Sequence, residues 1–416
     1  MRETNWAGNY TYRAKTVHRP ASLEQVQEIA AAAPALRALG SRHSFTAIGD
    51  ANELLSLERM PSDISINRVA GTVSFGAQLT YGELARSLAD EGMALANLAS
   101  LPHICVAGAV ATATHGSGDA NGNLATSVAA LELVTSDGEV RTVSRTDDDF
   151  NGHVVSLGAL GVLTRLTLDI EPDYQVRQRV FEGLTWDALL DHFDEITSCG
   201  YSVSVFTLWD EPLNAVWVKT RVSDAPESPA ENLFGAVPAP AQRHMIDGLD
   251  PVNCTRQLGS PGPWSERLPH FRIGFTPSSG EEIQSEFHVA RRHAVAALEA
   301  VRSHAKVIRP LLQVAEIRTV AADDLWLSPQ YLRDTVAIHF TWRREQAAVE
   351  AALVEIEAAL EPYEPRPHWG KLFLADAQTL APRYPRLDDF VALLTRIDSR
   401  GAFTNSWLRT HLLGRG

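Results

Sequence analysis

The chain has 416 residues, enough for two ordinary domains, and its 45% hydrophobic and 21% charged residues are typical of a globular protein rather than a disordered one. Its formal net charge of −14, with no segment that gathers Lys and Arg on one face, argues against nucleic acid or an anionic membrane as a partner. A polar N-terminus, no apolar run long enough to span a membrane and three widely separated cysteines predict a reduced, cytoplasmic protein without disulfides or a zinc site.

The N-terminal part begins with an alternation of short strands and helices. Ser22 and Gln25 have the spacing of a capping box at the start of a predicted helix, which Pro34 ends. Residues 35–39 are predicted to form a short strand. This strand leads into a tight turn with the sequence Gly40-Ser-Arg-His-Ser-Phe45.

A second unit of the same kind leads into a segment of unusual composition. The unit has a predicted strand at 69–75 and a helix that begins at a Thr80–Glu83 capping box and ends at Gly92. Residues 98–122 are then dominated by Gly, Ala, Ser and Thr. Side chains this small let the backbone approach a bulky, flat group and offer it many N–H donors. A mobile surface loop is the alternative interpretation, but the interspersed apolar residues favour burial.

The remaining predicted elements are mostly strands, followed by a mixture of strands and helices. A hairpin over 128–143 turns at Asp137-Gly138, and one further strand covers 160–170. Beyond about residue 175, strands are predicted at 203–209, 215–222, 271–276, 311–320 and 335–342, and helices at 288–305 and 345–360. A Pro- and Ala-rich stretch at 223–243 is predicted to be a loop or lid. This mixture favours an antiparallel sheet with helices on one side and a helical C-terminus from about residue 380.

Several common nucleotide- and metal-binding motifs are absent. There is no glycine-rich phosphate loop ending in Lys-Ser/Thr and no His-Glu-x-x-His zinc helix. Gly116-Ser-Gly118 lacks the third glycine of the dinucleotide fingerprint, so a nicotinamide-binding Rossmann domain is not expected. The turn at 40–45 offers a different solution, because consecutive N–H groups there can form a nest for a diphosphate. His43 lies in this turn, and from spacing alone it would be read as a polar surface group.

The turn at 40–45 resembles the flavin-attachment segment of the vanillyl-alcohol-oxidase-type flavoproteins, and more narrowly that of the alditol (xylitol) oxidases and their aldonolactone-oxidase relatives. The resemblance covers essentially the whole chain, because six further motifs occur in the family's order. These motifs are Asn5-Trp-Ala-Gly-Asn9, Ser100-Leu-Pro-His-Ile104, Ala113-Thr-His-Gly-Ser-Gly118, Glu316-Ile-Arg318, His368-Trp-Gly-Lys371 and Phe403-Thr-Asn405.

The resemblance implies a fold, a cofactor and a set of cofactor-binding residues. The fold is α+β, a two-domain FAD-binding PCMH/VAO-type fold with an FAD domain at 1–175, a substrate-binding cap domain at 176–378 built on an antiparallel sheet covered by helices, and a segment at 379–416 that packs back on the FAD domain. The implied cofactor is FAD, bonded covalently through its 8α carbon to His43. The other implied FAD-binding positions are Ala38, Leu39, Gly40, Ser41, Arg42, Ser44, Ser100, Cys105, Gly108, Thr112, Ala113, Thr114, His115, Leu163 and His368.

Two of these positions differ from what relatives often carry. Cys105 stands where serine is common, and a thiol would hydrogen-bond FAD only weakly through its side chain, although backbone contacts would survive. Arg42 stands where some relatives have glycine, and its guanidinium is expected to lie along the diphosphate or to point to solvent.

The predicted strands place several polar side chains on common faces. Residues i and i+2 of a strand share a face, so Glu316 and Arg318 point the same way, as do His339 and Thr341. Lys371 is predicted to lie in a third, short strand-like stretch between residues 369 and 373. A buried salt-bridge network with a purely structural effect is the alternative. The family resemblance favours function, because these five positions match its polyol-binding and catalytic residues.

The function implied by the resemblance is oxidation of the terminal hydroxyl of a polyol to an aldehyde, with O₂ reduced to H₂O₂ and no metal involved. Ser100 joins these five residues in binding the hydroxyl chain, while Arg318 and Lys371 stabilise developing negative charge. His339 is the natural general base by pKa, with Lys371 or Glu316 as alternatives. An aldonolactone oxidase or dehydrogenase and a non-catalytic flavin- or sugar-binding protein are the competing interpretations. We expect a monomer whose partners are a polyol and O₂.

Overall fold

The computed structural model of the chain describes residues 3–224, 232–275 and 280–414. The strands in these ranges are β1 (Thr16–His18), β2 (Leu36–Leu39), β3 (Glu53–Ser56), β4 (Ile64–Asn67), β5 (Thr72–Gly76), β6 (Met93–Ala94), β7 (Val128–Val134), β8 (Val140–Ser144), β9 (Val162–Asp169), β10 (Glu171–Pro172), β11 (Gln175–Glu182), β12 (Ser202–Thr207), β13 (Ala215–Arg221), β14 (Val237–Pro238), β15 (Gly262–Pro263), β16 (Glu282–Ala290), β17 (Leu312–Val320), β18 (Thr335–Arg343) and β19 (Arg366–Pro367). The helices are α1 (Leu23–Ala32), α2 (Tyr81–Asp90), α3 (Val106–Ala111), α4 (Phe150–Val154), α5 (Trp186–Asp191), α6 (Phe193–Ser198), α7 (Ala294–Arg302), α8 (Ala305–Ile308), α9 (Gln346–Leu360), α10 (Ala377–Leu380), α11 (Leu387–Ile397) and α12 (Ser406–Leu408).

The first part of the chain forms two larger sheets and a two-stranded one of β6 and β10, and two of its helices start at predicted caps. The parallel sheet has the order β1-β3-β2, and the antiparallel sheet has the order β4-β5-β9-β7-β8. The Ser22 hydroxyl accepts a hydrogen bond from the Gln25 N–H at 3.4 Å at the start of α1. Thr80 and Glu83 form a complete capping box at the start of α2, which satisfies N–H groups that the first turn leaves unpaired. Both predicted helix starts are confirmed.

A larger antiparallel sheet follows, and its two faces differ in character. Its described strands run in the order β14-β11-β13-β12-β17-β18-β16-β19, and β15 pairs with β11. One face carries apolar residues such as Val205, Ile317 and Phe340, which belong to the main hydrophobic core. Helix α9 covers this core with Val349, Leu353, Ile356 and Leu360, which are buried and lie at helical spacing. The predicted antiparallel sheet with helices on one side is therefore confirmed, and its other face is left for the polar residues described below.

The C-terminal segment lies against the parallel sheet. The Leu36 N–H donates to the Ala402 carbonyl at 2.8 Å, and Arg37 Nη1 donates to the Phe403 carbonyl at 2.9 Å. Asn405, in the last of the six motifs, donates through Nδ2 to three backbone carbonyls between residues 47 and 50. These contacts agree with a C-terminus that packs back on the beginning of the chain, whereas the proposed domain boundaries stay a prediction.

Several predicted element boundaries are wrong. The strand expected at 69–75 begins at Thr72, because residues 68–71 turn from the unpredicted β4 into β5. The strand expected at 271–276 is absent over its described part, where Phe271 forms only an isolated bridge with Cys254, and Thr276 lies outside the described residues. The helix expected at 288–305 begins at Ala294, because residues 288–290 complete β16.

Two other predictions concern loops. Within the Pro- and Ala-rich stretch at 223–243, residues 225–231 lie outside the described residues. The rest contains the end of a 3₁₀ helix (Val222–Asp224), an isolated bridge between Leu233 and Ala236, the short strand β14 and turns. Lys371 lies in a turn rather than in a strand, because its N–H donates to the carbonyl of His368 three residues earlier, at 3.0 Å. None of the helices in the described ranges has the length and apolar character needed to cross a membrane.

Candidate active site

The polar face of the larger sheet brings most of the predicted substrate residues together. Glu316 on β17 lies opposite His339 on β18, and His339 in turn lies opposite Glu286 on β16. Arg318 and Thr341 point to the same side, because they follow Glu316 and His339 by two residues. All five side chains are buried, so a row of charged and polar groups crosses three neighbouring strands inside the protein. The predicted pairs of residues on common strand faces are confirmed.

Glu286, which the sequence analysis did not single out, is the centre of this row. Its carboxylate accepts hydrogen bonds from Arg318 Nη2 at 3.0 Å and from Lys371 Nζ. His115 Nε2 lies 2.6 Å from Oε1, and His339 Nδ1 lies 3.1 Å from Oε2. Four predicted site residues from distant parts of the chain therefore meet at one fully buried carboxylate.

The charges of this cluster are set by competition between burial and pairing. Burial alone would raise the pKa of Glu286, but Lys371 and Arg318 hold it well below its usual range. Burial lowers the pKa of Lys371, and Glu286 opposes that shift. Burial also acts to lower the pKa of Arg318, but Glu316 and Glu286 raise it overall. The result is a buried carboxylate shared by two cations, which holds both cations in place.

His339 is a neutral imidazole with a partner at each ring nitrogen. Burial and the neighbouring Lys371 lower its pKa to about 4. Nδ1 lies 2.9 Å from Lys371 Nζ and 3.1 Å from Glu286, and Nε2 lies 3.0 Å from the Thr341 hydroxyl. Lys371 Nζ lies within reach of both Nδ1 and Glu286. In the tautomer in which Lys371 donates to Glu286 and Nδ1 carries the ring proton, the lone pair of Nε2 is free to accept a proton from a hydroxyl group.

A second chain of buried polar groups supports Glu316 from behind. Lys219 on β13 donates to the Leu268 carbonyl and lies 3.1 Å from Nδ1 of His270. His270 Nε2 lies 2.8 Å from Glu316 Oε1. A lysine that donates to Nδ1 leaves the proton on Nε2, so His270 donates to the Glu316 carboxylate. Burial lowers the pKa of Lys219 to about 7, and burial and the lysine together lower that of His270 to about 4.

Ser100 joins this row from the small-residue segment. Its carbonyl accepts from the backbone N–H of His270 at 3.1 Å, and its side chain lines the same narrow cavity as Arg318 and Lys219. All six predicted substrate-binding residues therefore lie on, or face, the polar side of the larger sheet.

The turn at 40–45 and the small-residue segment form a second, adjoining region. The Ser41 hydroxyl accepts from the Cys105 N–H at 2.9 Å, and a Cβ atom placed on Gly40 would lie 3.3 Å from the Cβ atom of Cys105. Arg42 adopts a left-handed backbone with φ of 63°. Its guanidinium forms an ion pair with Glu3 at 2.7 Å. The expectation was that it would lie along the diphosphate or point to solvent.

His43 occupies an apolar and aromatic setting. Its ring stacks on Trp6 at 4.8 Å and lies 4.8 Å from the ring of His103. Neither ring nitrogen makes a hydrogen bond within the described residues, although the Ser41 backbone comes near enough to oppose the pKa shift. Burial and His103 lower the pKa of His43 to about 3, so its imidazole is neutral. The residue as a whole is half-buried, but both ring nitrogens are buried, and buried nitrogens without partners are unfavourable unless another group completes their bonding.

The small-residue segment connects the turn at 40–45 to the Glu286 cluster. The Thr114 hydroxyl lies 3.1 Å from that of Thr112 and 3.4 Å from Nε2 of His368. His115 follows directly and reaches Glu286. The Phe45 N–H donates to the Gly370 carbonyl at 2.9 Å, which ties the turn to the segment that carries Lys371.

The remaining predicted FAD-binding residues have less informative positions. Ala38 and Gly40 are exposed at the end of β2, whereas Leu39 is buried. Ser44 is half-buried, and its carbonyl accepts from Asn5 at 2.9 Å. Ala113 is buried with a positive φ of 52°, and Gly108 is exposed. Leu163 lies half-buried on β9, where it pairs with Leu133, away from the contacts described above.

One buried group has the composition of a metal site. Ligand atoms of His115, Glu286 and His288 lie within 4.8 Å of one another. However, Arg318 and Lys371 already lie against the carboxylate, so a divalent cation there would meet two positive charges at close range. We assign the group to the Glu286 ion network rather than to a metal.

Comparison with known proteins identifies the family. The chain is 48% identical to the alditol oxidase of Streptomyces sp. (strain IKD472 / FERM P-14339), over 99% of both chains. The chain belongs to the alditol oxidase family. Two family models also match the chain. The FAD binding domain matches residues 14–144, and D-arabinono-1,4-lactone oxidase matches residues 281–411. The L-gulono-1,4-lactone dehydrogenase of Mycobacterium tuberculosis is a more distant relative, 29% identical over 98% of both chains.

Solved structures confirm the predicted fold. Cholesterol oxidase from B. sterolicum superposes with a TM-score of 0.79 over 99% of this chain and 96% of the other, at 15% sequence identity. At this identity the similarity concerns the fold alone, and it confirms the α+β FAD-binding fold expected for this alditol oxidase family member. FAD is its cofactor, in agreement with the FAD binding domain at residues 14–144.

The described residues of this alditol oxidase family member fit an FAD molecule in two respects. His43 presents two unsatisfied ring nitrogens in a buried position. In the small-residue segment, Gly108 is exposed at α3, and a Cβ atom there would meet nothing within 4 Å, so the backbone is open to a bulky ligand.

Proposed function

We propose that the protein is an FAD-dependent alditol oxidase that converts the terminal hydroxyl of polyols such as xylitol and sorbitol to the aldehyde of the aldose. Each turnover removes two electrons and two protons from the polyol and transfers them to O₂, which leaves as H₂O₂. The observation that carries this proposal is the row of buried groups across β16, β17 and β18, in a chain 48% identical to an alditol oxidase. Several polar groups in one row suit a substrate with several hydroxyls, because a site built for hydroxyls rejects substrates that lack them.

The proposed cofactor attachment uses His43. Its imidazole is neutral, with a pKa lowered to about 3, and therefore keeps a lone pair available for a bond to carbon. The ring is fixed between Trp6 and His103, and its nitrogens have no competing hydrogen bond among the described residues. Ser41, the backbone at Cys105 and the exposed Gly108 would hold the rest of FAD. This arrangement supports a covalent link through His43.

When bound, FAD supplies the acceptor for the hydride of the carbinol carbon and passes the electrons on to O₂. The residues of the chain have to bind the polyol, hold its reacting hydroxyl and take up the proton. Arg318 is a fixed cation anchored on Glu286, and Lys371 is a second cation on the same carboxylate. We assign to both the stabilisation of negative charge on the reacting oxygen.

His339 is our choice of general base. Glu316 is a weak base, because Arg318, His270 and His339 hold its pKa well below the usual range against the effect of burial. Lys371 must lose a proton before it can accept one. His339 is already neutral at pH 7, and a proton on Nδ1 donated to Glu286 leaves Nε2 next to Thr341 as the acceptor. Glu316, Ser100 and Thr341 are left to bind the remaining hydroxyls.

Oxidation or dehydrogenation of an aldonolactone is the second candidate. It is favoured by the D-arabinono-1,4-lactone oxidase family match, which covers residues 281–411 and with them Glu286 and Lys371. H₂O₂ production measured with xylitol, sorbitol, glycerol and gulonolactone distinguishes the two candidate functions. Turnover of the acyclic polyols at least tenfold faster than that of the lactone supports the alditol assignment, and the reverse order contradicts it.

A further inference from the structure

The polar face of the larger sheet continues beyond the residues assigned above. Val205 on β12 pairs with Ile317 on β17, so Ser204 and Arg318 are neighbours on adjacent strands. Ser202 pairs with Lys219 on the next strand, β13. The row of polar groups therefore extends two strands past Arg318, on the side away from His339 and Lys371.

A narrow cavity lies at this end of the row. It has room for about one water molecule, the size of one hydroxyl group. Its polar lining comes from Ser100, Ser117, Ser202, Ser204, Lys219, His270 and Arg318, of which Ser117 donates to the Val203 carbonyl.

Groups on the cavity wall have hydrogen-bonding capacity that the protein does not use. Ser204 is 1% exposed and Ser202 is 5% exposed, and neither hydroxyl has a hydrogen-bond partner within the described part of the chain. Lys219 is 1% exposed, and an ammonium group has three donors. Two of them are accounted for by the Leu268 carbonyl and His270. Buried polar groups normally find partners, so these groups await a ligand.

A purely structural role explains this arrangement poorly. Burying a lysine is costly, and an apolar side chain of similar volume would fill the same space without that cost. Two hydroxyls without partners add nothing to the stability of a buried sheet face. Together with a cavity of hydroxyl size beside Arg318, these features point to a ligand group that both donates and accepts hydrogen bonds.

We propose that Ser202, Ser204 and Lys219 form a distal subsite for the hydroxyl at the far end of the polyol, and that this subsite sets the preferred chain length. The inference rests on the proposed alditol oxidase function. Neighbouring strands are about 4.8 Å apart, so the subsite begins about 10 Å from His339, two strands away. A three-carbon polyol held at His339 and Arg318 ends before the subsite, whereas a five- or six-carbon polyol extends into it.

The test compares three variants on polyols of different length. Ser204→Ala removes a subsite hydroxyl without breaking any hydrogen bond in the described chain, and Lys219→Met removes the ammonium group at similar volume. Ser285→Ala is the matched control, because Ser285 is a fully buried strand serine on the opposite face, bonded to Trp342 at 3.1 Å. The quantity measured is the ratio of kcat/KM for sorbitol to kcat/KM for glycerol, from O₂ consumption.

We expect this ratio to fall about five- to tenfold in Ser204→Ala and at least as much in Lys219→Met, and to stay unchanged in Ser285→Ala. An unchanged ratio in Ser204→Ala overturns the subsite, and so do equal losses for both polyols. Should Lys219→Met fail to fold, Ser204→Ala decides alone. A wild-type protein that oxidises no polyol refutes the proposed function as well, and this result is seen before any variant is made.

Discussion

Replacing Glu286 with glutamine tests whether one buried carboxylate holds the candidate site together. Glu286→Gln keeps the shape of the side chain and removes its negative charge. Arg318 then keeps Glu316 at 3.5 Å, Lys371 loses the carboxylate it is paired with, and the amide must also satisfy His115. Removing one partner from a buried ion pair typically costs about 3–5 kcal/mol, because the other charge stays buried without compensation.

The same change should alter the pH dependence of the reaction. Glu286 raises the pKa of Lys371 against the effect of burial, so without that charge Lys371 loses its proton at a lower pH. If Lys371 acts as a cation, the alkaline limb of kcat/KM for xylitol therefore moves to lower pH in Glu286→Gln. A purely structural carboxylate would change stability and leave the pH profile of the folded fraction in place.

Urea unfolding and the pH profile of polyol oxidation are the two measurements. Glu132→Gln is the control. Glu132 is a half-buried residue on a strand, and its carboxylate accepts a hydrogen bond from the neutral Thr164 hydroxyl at 2.7 Å. We expect a loss of about 3–5 kcal/mol in the free energy of unfolding for Glu286→Gln and less than about 1 kcal/mol for Glu132→Gln. A loss below about 1 kcal/mol in Glu286→Gln together with an unshifted alkaline limb would refute the reasoning.

Four further predictions address individual residues. His43→Ala should release the yellow colour into the supernatant on acid precipitation, whereas the wild-type colour should stay with the protein; free colour in the wild type would contradict a covalent link. Arg318→Ala and Lys371→Ala should each slow flavin reduction by xylitol at least 100-fold while FAD stays bound, since each removes a charge that acts on the reacting oxygen. Cys105→Ser should change FAD retention little, because the Cys105 N–H bond to Ser41 is kept; a large gain would point to a side-chain contact with FAD. The acid limb of kcat/KM should lie near pH 4, the pKa of His339, and a limb near pH 6.5 would argue against this base.

The buried histidines also predict a direction for stability. Burial lowers the pKa of both His339 and His270 from 6.5 to about 4. Between these two values the unfolded chain binds protons that the folded chain does not. The free energy of unfolding should therefore fall as the pH falls from about 6.5 towards 4, and a urea midpoint that rises over this range would be contrary to the account.

Local sequence patterns predicted much of the fold because they reflect local physics. The capping residues at Ser22 and Thr80 and the turn at Asp137-Gly138 act within a few residues, and the structure has a helix or hairpin at each. The pairs of site residues on β17 and β18 were likewise predictable, because side chains alternate along any strand.

Glu286 was missed because what stabilises it is not local. Its partners are 171 residues away at His115 and 85 residues away at Lys371. When these partners are not known, a charged residue close to an Ala-rich helical segment does not indicate a central strand. The predicted helix therefore extended back over His288, which lies in β16. The signal that was available is the alternation of Gln284, Glu286 and His288 with more apolar neighbours, which is typical of a strand with one polar face.

Lys219 and His270 were missed for a related reason. Lys219 lies two residues after Trp217 on a predicted strand, so the sequence predicts that these two side chains share a face. Whether this face is the polar one depends on how β13 pairs with β12 and how β12 pairs with β17. His270 lies at the end of a loop whose neighbouring segment was predicted as a strand. Register and loop placement are properties of the assembled sheet and cannot be read from either segment alone.

The most direct test of the central claim is anaerobic mixing of the purified yellow protein with xylitol, followed by the flavin absorbance. We expect xylitol to bleach the flavin and added O₂ to restore the colour, with one H₂O₂ formed for each aldehyde. A flavin that stays oxidised with xylitol, sorbitol and glycerol, or that is bleached by gulonolactone alone, would contradict the assignment of an alditol oxidase.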